Sequence, residues 1–277
     1  MKRAEFFVAL HHRTPSMDQK VLNWAWSEGL FDSVSELEKV RIQKINWFAG
    51  YLFPKEEEGR LEKIMQFFLG LFLLDDLMDH VPHQEMIQFV LALTKSRVES
   101  NNKRIRSLGQ NLLIGQSHFE NEFQNQSRKK NWKESWQNYL TGLIWELENK
   151  LNSRAPSLTE YRLLRPFSSG VFLAIFFLRK DGFPDSCDAE LLECYIARFI
   201  CLTNDLASFE KEMGIGDKHN EILILMDLSS EESFTWIQKE FQSLKKQIHQ
   251  LSIEIAKKSE ACRQWVEDLH LLLGGCL

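Results

Sequence analysis

Apolar residues recur at spacings of three and four along nearly the whole chain, and no stretch alternates with the period of a strand. Breakers are scarce, with 13 Gly and 6 Pro in 277 residues and no Gly/Ser tract, Pro-rich linker or solenoid repeat. The chain is therefore expected to be all-α and to form one domain over residues 1–277. Helices are predicted over 17–30, 35–51, 56–80, 83–99, 103–127, 131–151, 157–166, 169–179, 187–213, 219–227, 230–257 and 259–274. Ser157 and Glu160 have the spacing of a capping box, with Pro156 just before it. Ser229 or Ser230 stands before Glu231 and Glu232 as a further helix start, and Pro54 lies just outside another.

Charge narrows the partners. The net charge is −5 and the pI about 6.0, which gives no support for nucleic-acid binding. The basic triplet Arg128-Lys129-Lys130 reads as a solvated loop. The longest apolar runs, Phe67–Leu74 and Val171–Leu178, fall well short of the ~18 residues of a membrane span. Met1–Phe6 has no apolar signal-peptide core, so a cytoplasmic protein is expected. The five cysteines have no metal-site spacing. Cys187, Cys194 and Cys201 recur every seventh residue and read as small core residues.

Two acidic clusters follow apolar stretches. Asp75-Asp76-Leu77-Met78-Asp79 closes the first run. On a helix Asp75 and Asp79 share a face, Asp76 points about 100° away, and Phe68, Leu71 and Phe72 lie below the two. In the second cluster Asn204, Ser208 and Glu212 follow an i, i+4, i+8 pattern, with Ala197, Ile200 and Cys201 below them. Such all-oxygen sets suit Mg²⁺, which binds through a few carboxylates together with substrate phosphates. His80 and His83 follow the first cluster but have no third strong ligand for zinc, and read as surface or helix-end residues.

These segments resemble the microbial class I terpene synthases. Asp75–Asp79 is similar to that family's aspartate-rich motif, and Asn204–Glu212 to its Asn/Ser/Glu triad, including Lys211 before the final Glu. Tyr51–Pro54 with Arg60-Leu61, Glu146, Pro156–Arg165, Ser168-Ser169-Gly170, His219–Ile222 and Ser229–Ser233 extend the likeness in order over roughly residues 10–275. The resemblance implies one helical bundle around a deep apolar cavity, three Mg²⁺ ions, a prenyl diphosphate substrate and, in many members, a homodimer. By position it implies that Asp75 bridges two Mg²⁺, with Asp79 as a second ligand. Asn204, Ser208 and Glu212 would hold the third. Arg165, four residues after Tyr161, would sense the diphosphate in preference to Arg162, and Lys211 would contact it. Gly170 or Ser169 would sit at the helix break whose carbonyl faces the cation. The family's C-terminal Arg-Tyr pair does not follow Gly275. The sequence is then either truncated or closes its site with other groups. The interval from Arg165 to Asn204 is also shorter than the family's, with the difference placed in Lys180–Ser186.

The implied reaction is loss of diphosphate from a linear prenyl diphosphate, with farnesyl diphosphate favoured over geranylgeranyl diphosphate. Cyclisation or quenching of the allylic cation follows. An apolar, aromatic wall keeps that cation from water. Phe68, Phe72, Phe172, Phe176, Trp47, Phe48 and Trp265 are aromatic candidates, and Ile200 adds an apolar one. A chain-elongating prenyltransferase would carry an aspartate-rich motif on both helices, which Asn204/Ser208/Glu212 argues against. A catalytically silent isoprenoid-diphosphate binder is the alternative from another class.

Overall fold

The computed structural model describes residues 6–179, 186–228 and 233–276, and among these every regular element is a helix. In chain order they are α1 (Thr14–Ser27), α2 (Val34–Gln43), α3 (Trp47–Leu52), α4 (Glu58–His80), α5 (His83–Thr94), α6 (Lys103–Glu122) and α7 (Gln126–Leu151). Then follow α8 (Leu158–Ser168), α9 (Val171–Leu178), α10 (Cys187–Ile215), α11 (Glu221–Leu228), α12 (Ser233–Ala256) and α13 (Glu260–Gly275). The anticipated caps at Ser229 or Ser230, and most of the Lys180–Ser186 loop, lie outside the described residues.

The helices form two compact units. One comprises the residues up to Trp136, joined by His270–Cys276; the other is Gln137–Leu269.

The first unit is built around α4, which packs on α1, α3, α5 and α6. Its middle is apolar on every side, and Leu61, Ile64, Met65, Phe67, Phe68 and Leu69 are all buried. Fully burying one such side chain is worth ~1.5–3 kcal/mol. Phe67 packs against Phe119, Trp132 and Trp136, while Phe68 faces Phe48 and Phe53. Gly275 closes on the same unit: a Cβ there would stand 2.7 Å from the Tyr51 carbonyl oxygen. The Phe6 and His270 rings meet edge to face at 5.5 Å.

The second unit is built around α10, which packs on α8, α9, α11 and α12. The buried face of α12 (Ile237, Phe241, Leu244, Ile248, Ser252, Ile255) repeats at helical spacing. Phe241 meets Phe199 of α10 at 4.4 Å between ring centroids. Trp145, Tyr161 and Ile224 form a second cluster with Leu158 and Leu164.

Three expectations need correction. The helix anticipated over 35–51 is two helices, because Lys44 adopts a left-handed backbone (φ 53°) and ends α2. Its ammonium sits 4.2 Å from the Trp47 ring centroid, a cation–π contact that offsets the strain. Arg128-Lys129-Lys130 is no solvated loop but lies in the first turn of α7, with Arg128 buried over the Phe123 ring. Of the three spaced cysteines only Cys201 is buried, since a seven-residue stripe drifts around a helix and the early buried face of α10 falls on Ala189 and Leu192 instead. Ser157 caps α8 as expected, accepting from the Glu160 amide, and the Glu160 carboxylate accepts from the Ser157 amide in return while also taking the Trp145 indole and Arg154.

Candidate functional site

The first acidic cluster occupies the last turns of α4. Asp75 and Asp79 are exposed, and so is His80. Asp76 is set apart from them, as the helical spacing predicts: Lys39 lies 3.9 Å from its carboxylate and His80 Nδ1 2.6 Å from its carbonyl oxygen. Below, Phe72 is half-buried and meets Phe48 edge to face at 5.2 Å, while Phe68 is buried. Among the described residues no group of three or more His, Cys, Asp or Glu gathers as a metal cage. A hard cation here would rely on one or two carboxylates, neutral oxygens and a ligand's own oxygens.

The second cluster lies on α10. Asn204 is exposed, Ser208 and Glu212 are half-buried, and Lys211 is exposed beside them. Asn204 Oδ1, Ser208 Oγ and the Glu212 carboxylate are all hard oxygens on one stripe, a donor set that fits a divalent cation such as Mg²⁺. Each is already held. Arg165 Nη2 donates to Asn204 Oδ1 at 2.9 Å, Ser208 Oγ donates to the Asn204 carbonyl at 2.9 Å, and Asn220 Nδ2 donates to Glu212 Oε2 at 2.8 Å.

The two candidate arginines separate clearly. Arg165 turns to the stripe, touching Asn204 and lying 3.5 Å from Asp205 Oδ1 through Nε. Arg162 turns away, donating to the fully buried Glu221 at 2.9 Å and stacking over Trp236 at 4.1 Å. Glu221 also receives Arg198 at 2.5 Å, so a buried carboxylate is matched by two guanidiniums.

Spacing alone gave no role to the network beneath the stripe. Asp205 is buried between the stripe residues of its own helix. Its Oδ2 lies 2.8 Å from the Tyr161 hydroxyl and accepts from the Glu221 amide at 3.1 Å. Burial pushes the Asp205 carboxyl up to about 6, against the pull of Arg165, the Glu221 amide and the Tyr161 hydroxyl. Desolvation wins because the single guanidinium stands at 3.5 Å rather than in a closed fork. Burial also disfavours the charge on Arg165, but the Tyr161 and Asp205 oxygens outweigh it and keep the guanidinium protonated. Burial and Asp205 together push the Tyr161 phenol well up. Further along, Lys150 bridges Glu146 (3.2 Å) and Asp217 (3.7 Å), and Asn149 meets His219 at 3.2 Å. Burial works to raise the Glu146 carboxyl, yet Lys150, Arg165 and His219 hold it below its usual value. The sequence signal for this network was the polar trio His219-Asn220-Glu221 set directly before the apolar Ile222–Leu225.

The helix break lies between α8 and α9, which meet at 52°. Pro166 withholds an amide donor inside α8, and Gly170 takes a left-handed backbone (φ 70°) that favours glycine. The Gly170 carbonyl accepts from the Leu173 and Ala174 amides, which draws it into the first turn of α9. Ser169 Oγ lies 3.5 Å from Cys201 Sγ. Of the remaining pocket candidates, Phe172 is half-buried against Phe167 at 5.1 Å, Ile200 is half-buried, and Trp265 is buried on α13. Among the described residues no single helix is long and apolar enough to cross a membrane.

Known proteins share this architecture. Over 98% of this chain and 97% of its own, the crystal structure of linalool/nerolidol synthase from Streptomyces clavuligerus superposes with a TM-score of 0.82 at 14% identity. A single-residue variant of cucumene synthase superposes with a TM-score of 0.80 at 19% identity, over 99% of this chain and 96% of its own. In sequence the chain is 23% identical over 249 residues to (+)-eremophilene synthase of Sorangium cellulosum, covering 79% of this chain and 70% of that protein. It is 22% identical over 244 residues to (+)-T-muurolol synthase ((2E,6E)-farnesyl diphosphate cyclizing) of Roseiflexus castenholzii, covering 79% and 71%. The family described as terpene synthase family 2, C-terminal metal binding, matches residues 66–247, a span that holds both acidic clusters, Arg165 and the helix break. With its all-helical fold and this match, the chain belongs to the metal-binding terpene synthases of family 2.

Proposed function

We propose that this terpene synthase ionises a linear prenyl diphosphate with the help of Mg²⁺, farnesyl diphosphate before geranylgeranyl diphosphate, and cyclises or quenches the resulting cation. The observation that carries the reading is the meeting of Arg165 with the oxygen stripe of α10. A cation able to grip a leaving diphosphate stands beside an all-oxygen donor set, backed by a buried acid. The preference for farnesyl diphosphate draws support from the (+)-T-muurolol synthase, whose name states that it cyclises that compound.

In this reading Asn204, Ser208 and Glu212 hold one Mg²⁺, and Asp75 with Asp79 serves two more. Bound Mg²⁺ neutralises charge on the departing diphosphate as a Lewis acid. Arg165 donates to the diphosphate oxygens as the allylic C–O bond breaks, and Lys211 adds a second positive charge. The bonding pair leaves with the diphosphate, and the carbon skeleton keeps the positive charge. Phe68, Phe72, Phe172, Ile200 and Trp265 exclude water from that cation, and aromatic faces stabilise it by roughly 0.5–2 kcal/mol each. At the backbone break the Ser169 carbonyl would face the cation in preference to that of Gly170, which the Leu173 and Ala174 amides hold. Loss of a proton or addition of water ends the reaction.

The test is incubation of the protein with Mg²⁺ and, separately, geranyl, farnesyl and geranylgeranyl diphosphate, with gas chromatography–mass spectrometry of the extract. A Mg²⁺-dependent terpene from farnesyl diphosphate is expected. A longer prenyl diphosphate formed on adding isopentenyl diphosphate would instead mark a chain-elongating enzyme.

A further inference from the structure

We infer that Asn220 is a positioning residue that fixes the carboxylate of Glu212; this rests on the reading of Glu212 as a metal ligand. Asn220 is fully buried at the entry to α11. Its amide uses both donor directions and one of its two acceptor directions. Nδ2 donates to the Asp205 carbonyl at 2.6 Å and to Glu212 Oε2 at 2.8 Å, and Oδ1 accepts from the Ile222 amide at 2.9 Å. Turning the amide over would set its oxygen against two acceptors and its NH₂ against a donor, so the orientation is determined by three bonds.

The two acceptors lie two turns apart on α10. One NH₂ group therefore ties Glu212 to the backbone of its own helix. Half-buried Glu212 would otherwise be a long side chain with several rotamers. With Oε2 engaged by Asn220, Oε1 is left for a cation. Ligating carboxylates are commonly oriented by such partners, and losing one typically weakens metal affinity ~10–100-fold.

The plain alternative is that Asn220 only caps α11 through Oδ1. Asn220→Ser and Asn220→Asp separate the roles, because both keep a capping acceptor and both remove the Nδ2 donor. Each variant and the wild type would be titrated with Mg²⁺ at fixed inorganic diphosphate, following the melting temperature. The Mg²⁺ dependence of turnover would be measured alongside. Positioning predicts that both variants need ~10–100-fold more Mg²⁺ for half of the thermal response, with turnover recovering at high Mg²⁺. A folded Asn220→Ser protein whose Mg²⁺ midpoint matches the wild type within about twofold, well below that range, would overturn the inference. If Asn220→Asp does not fold beside Glu212, the serine variant decides alone. A wild type that gains no stability from Mg²⁺ plus diphosphate would overturn the metal reading itself, and this inference with it.

Discussion

Arg165 donates to Asn204 Oδ1 across 2.9 Å, which ties the last turn of α8 to the first residue of the α10 stripe. An amide oxygen has two lone pairs, so Asn204 can keep this bond and still face a cation. Arg165→Ala should lower turnover by ~10²–10³, the usual loss for a donor aimed at developing negative charge. It should also destabilise the fold by about 3–5 kcal/mol, because Asp205 stays buried without its cation. Arg165→Lys restores the charge but not the planar fork, so stability should recover more than turnover. Urea denaturation and steady-state kinetics read the two effects. Full turnover in the lysine variant would show that charge alone suffices.

Exposed candidate ligands should separate chemistry from folding. Asp75 and Asn204 both lie at the surface. Asp75→Ala should therefore change stability by at most ~1 kcal/mol, and Asn204→Ala, which gives up the bond from Arg165, by about 1.5–3 kcal/mol, both leaving the protein folded. Each should nevertheless abolish Mg²⁺-dependent product formation. Circular dichroism melts and product analysis test this together, and wild-type activity in either variant would sink the metal assignment.

These two predictions draw unequally on what was legible in the sequence. The stripe Asn204/Ser208/Glu212 was, because helical spacing alone places it on one face of α10. So was the all-helical class, from the helical period of the apolar residues and the rarity of breakers. Asp205 was not given a role: it stands between the stripe positions, and its partner Tyr161 is far upstream. Only tertiary packing brings them together. The break at Lys44 escaped for another reason, since left-handed backbone is ordinarily announced by Gly or Asn and here falls on a lysine steadied by Trp47. Arg128 misled as one of three adjacent cations, because a charge run says nothing about the Phe123 ring that covers its first member.

Acid should weaken the fold through Glu160. Its carboxyl is lowered to about 2, first by the hydrogen bond from Arg154 and then by that from Trp145, with burial opposing. A group whose folded pKa is depressed contributes fully above its unfolded value and loses that contribution as pH falls through the folded one. The melting temperature should thus drop between about pH 4.5 and pH 2, and Glu160→Gln should flatten that part of the profile. Parallel profiles for the two proteins would remove Glu160 as the cause.

Gly170→Ala should cost about 1–2 kcal/mol from left-handed backbone alone. The nearest atom to a new Cβ is a Tyr139 ring carbon at 3.5 Å, an ordinary contact, so no clash adds to the strain. Chemical denaturation measures the cost. A loss far above this range would mean that the α8–α9 junction moves as a whole.

The close approach of Gly275 to Tyr51 has a consequence for the order in which this chain is made. On the ribosome the unit containing α1–α6 is translated first, yet the surface around Tyr51 stays uncovered until Gly275 has been added. At about 5–20 residues per second that wait is on the order of ten seconds. The unit built around α4 thus waits for α13, made long after it, before its surface at Tyr51 is covered.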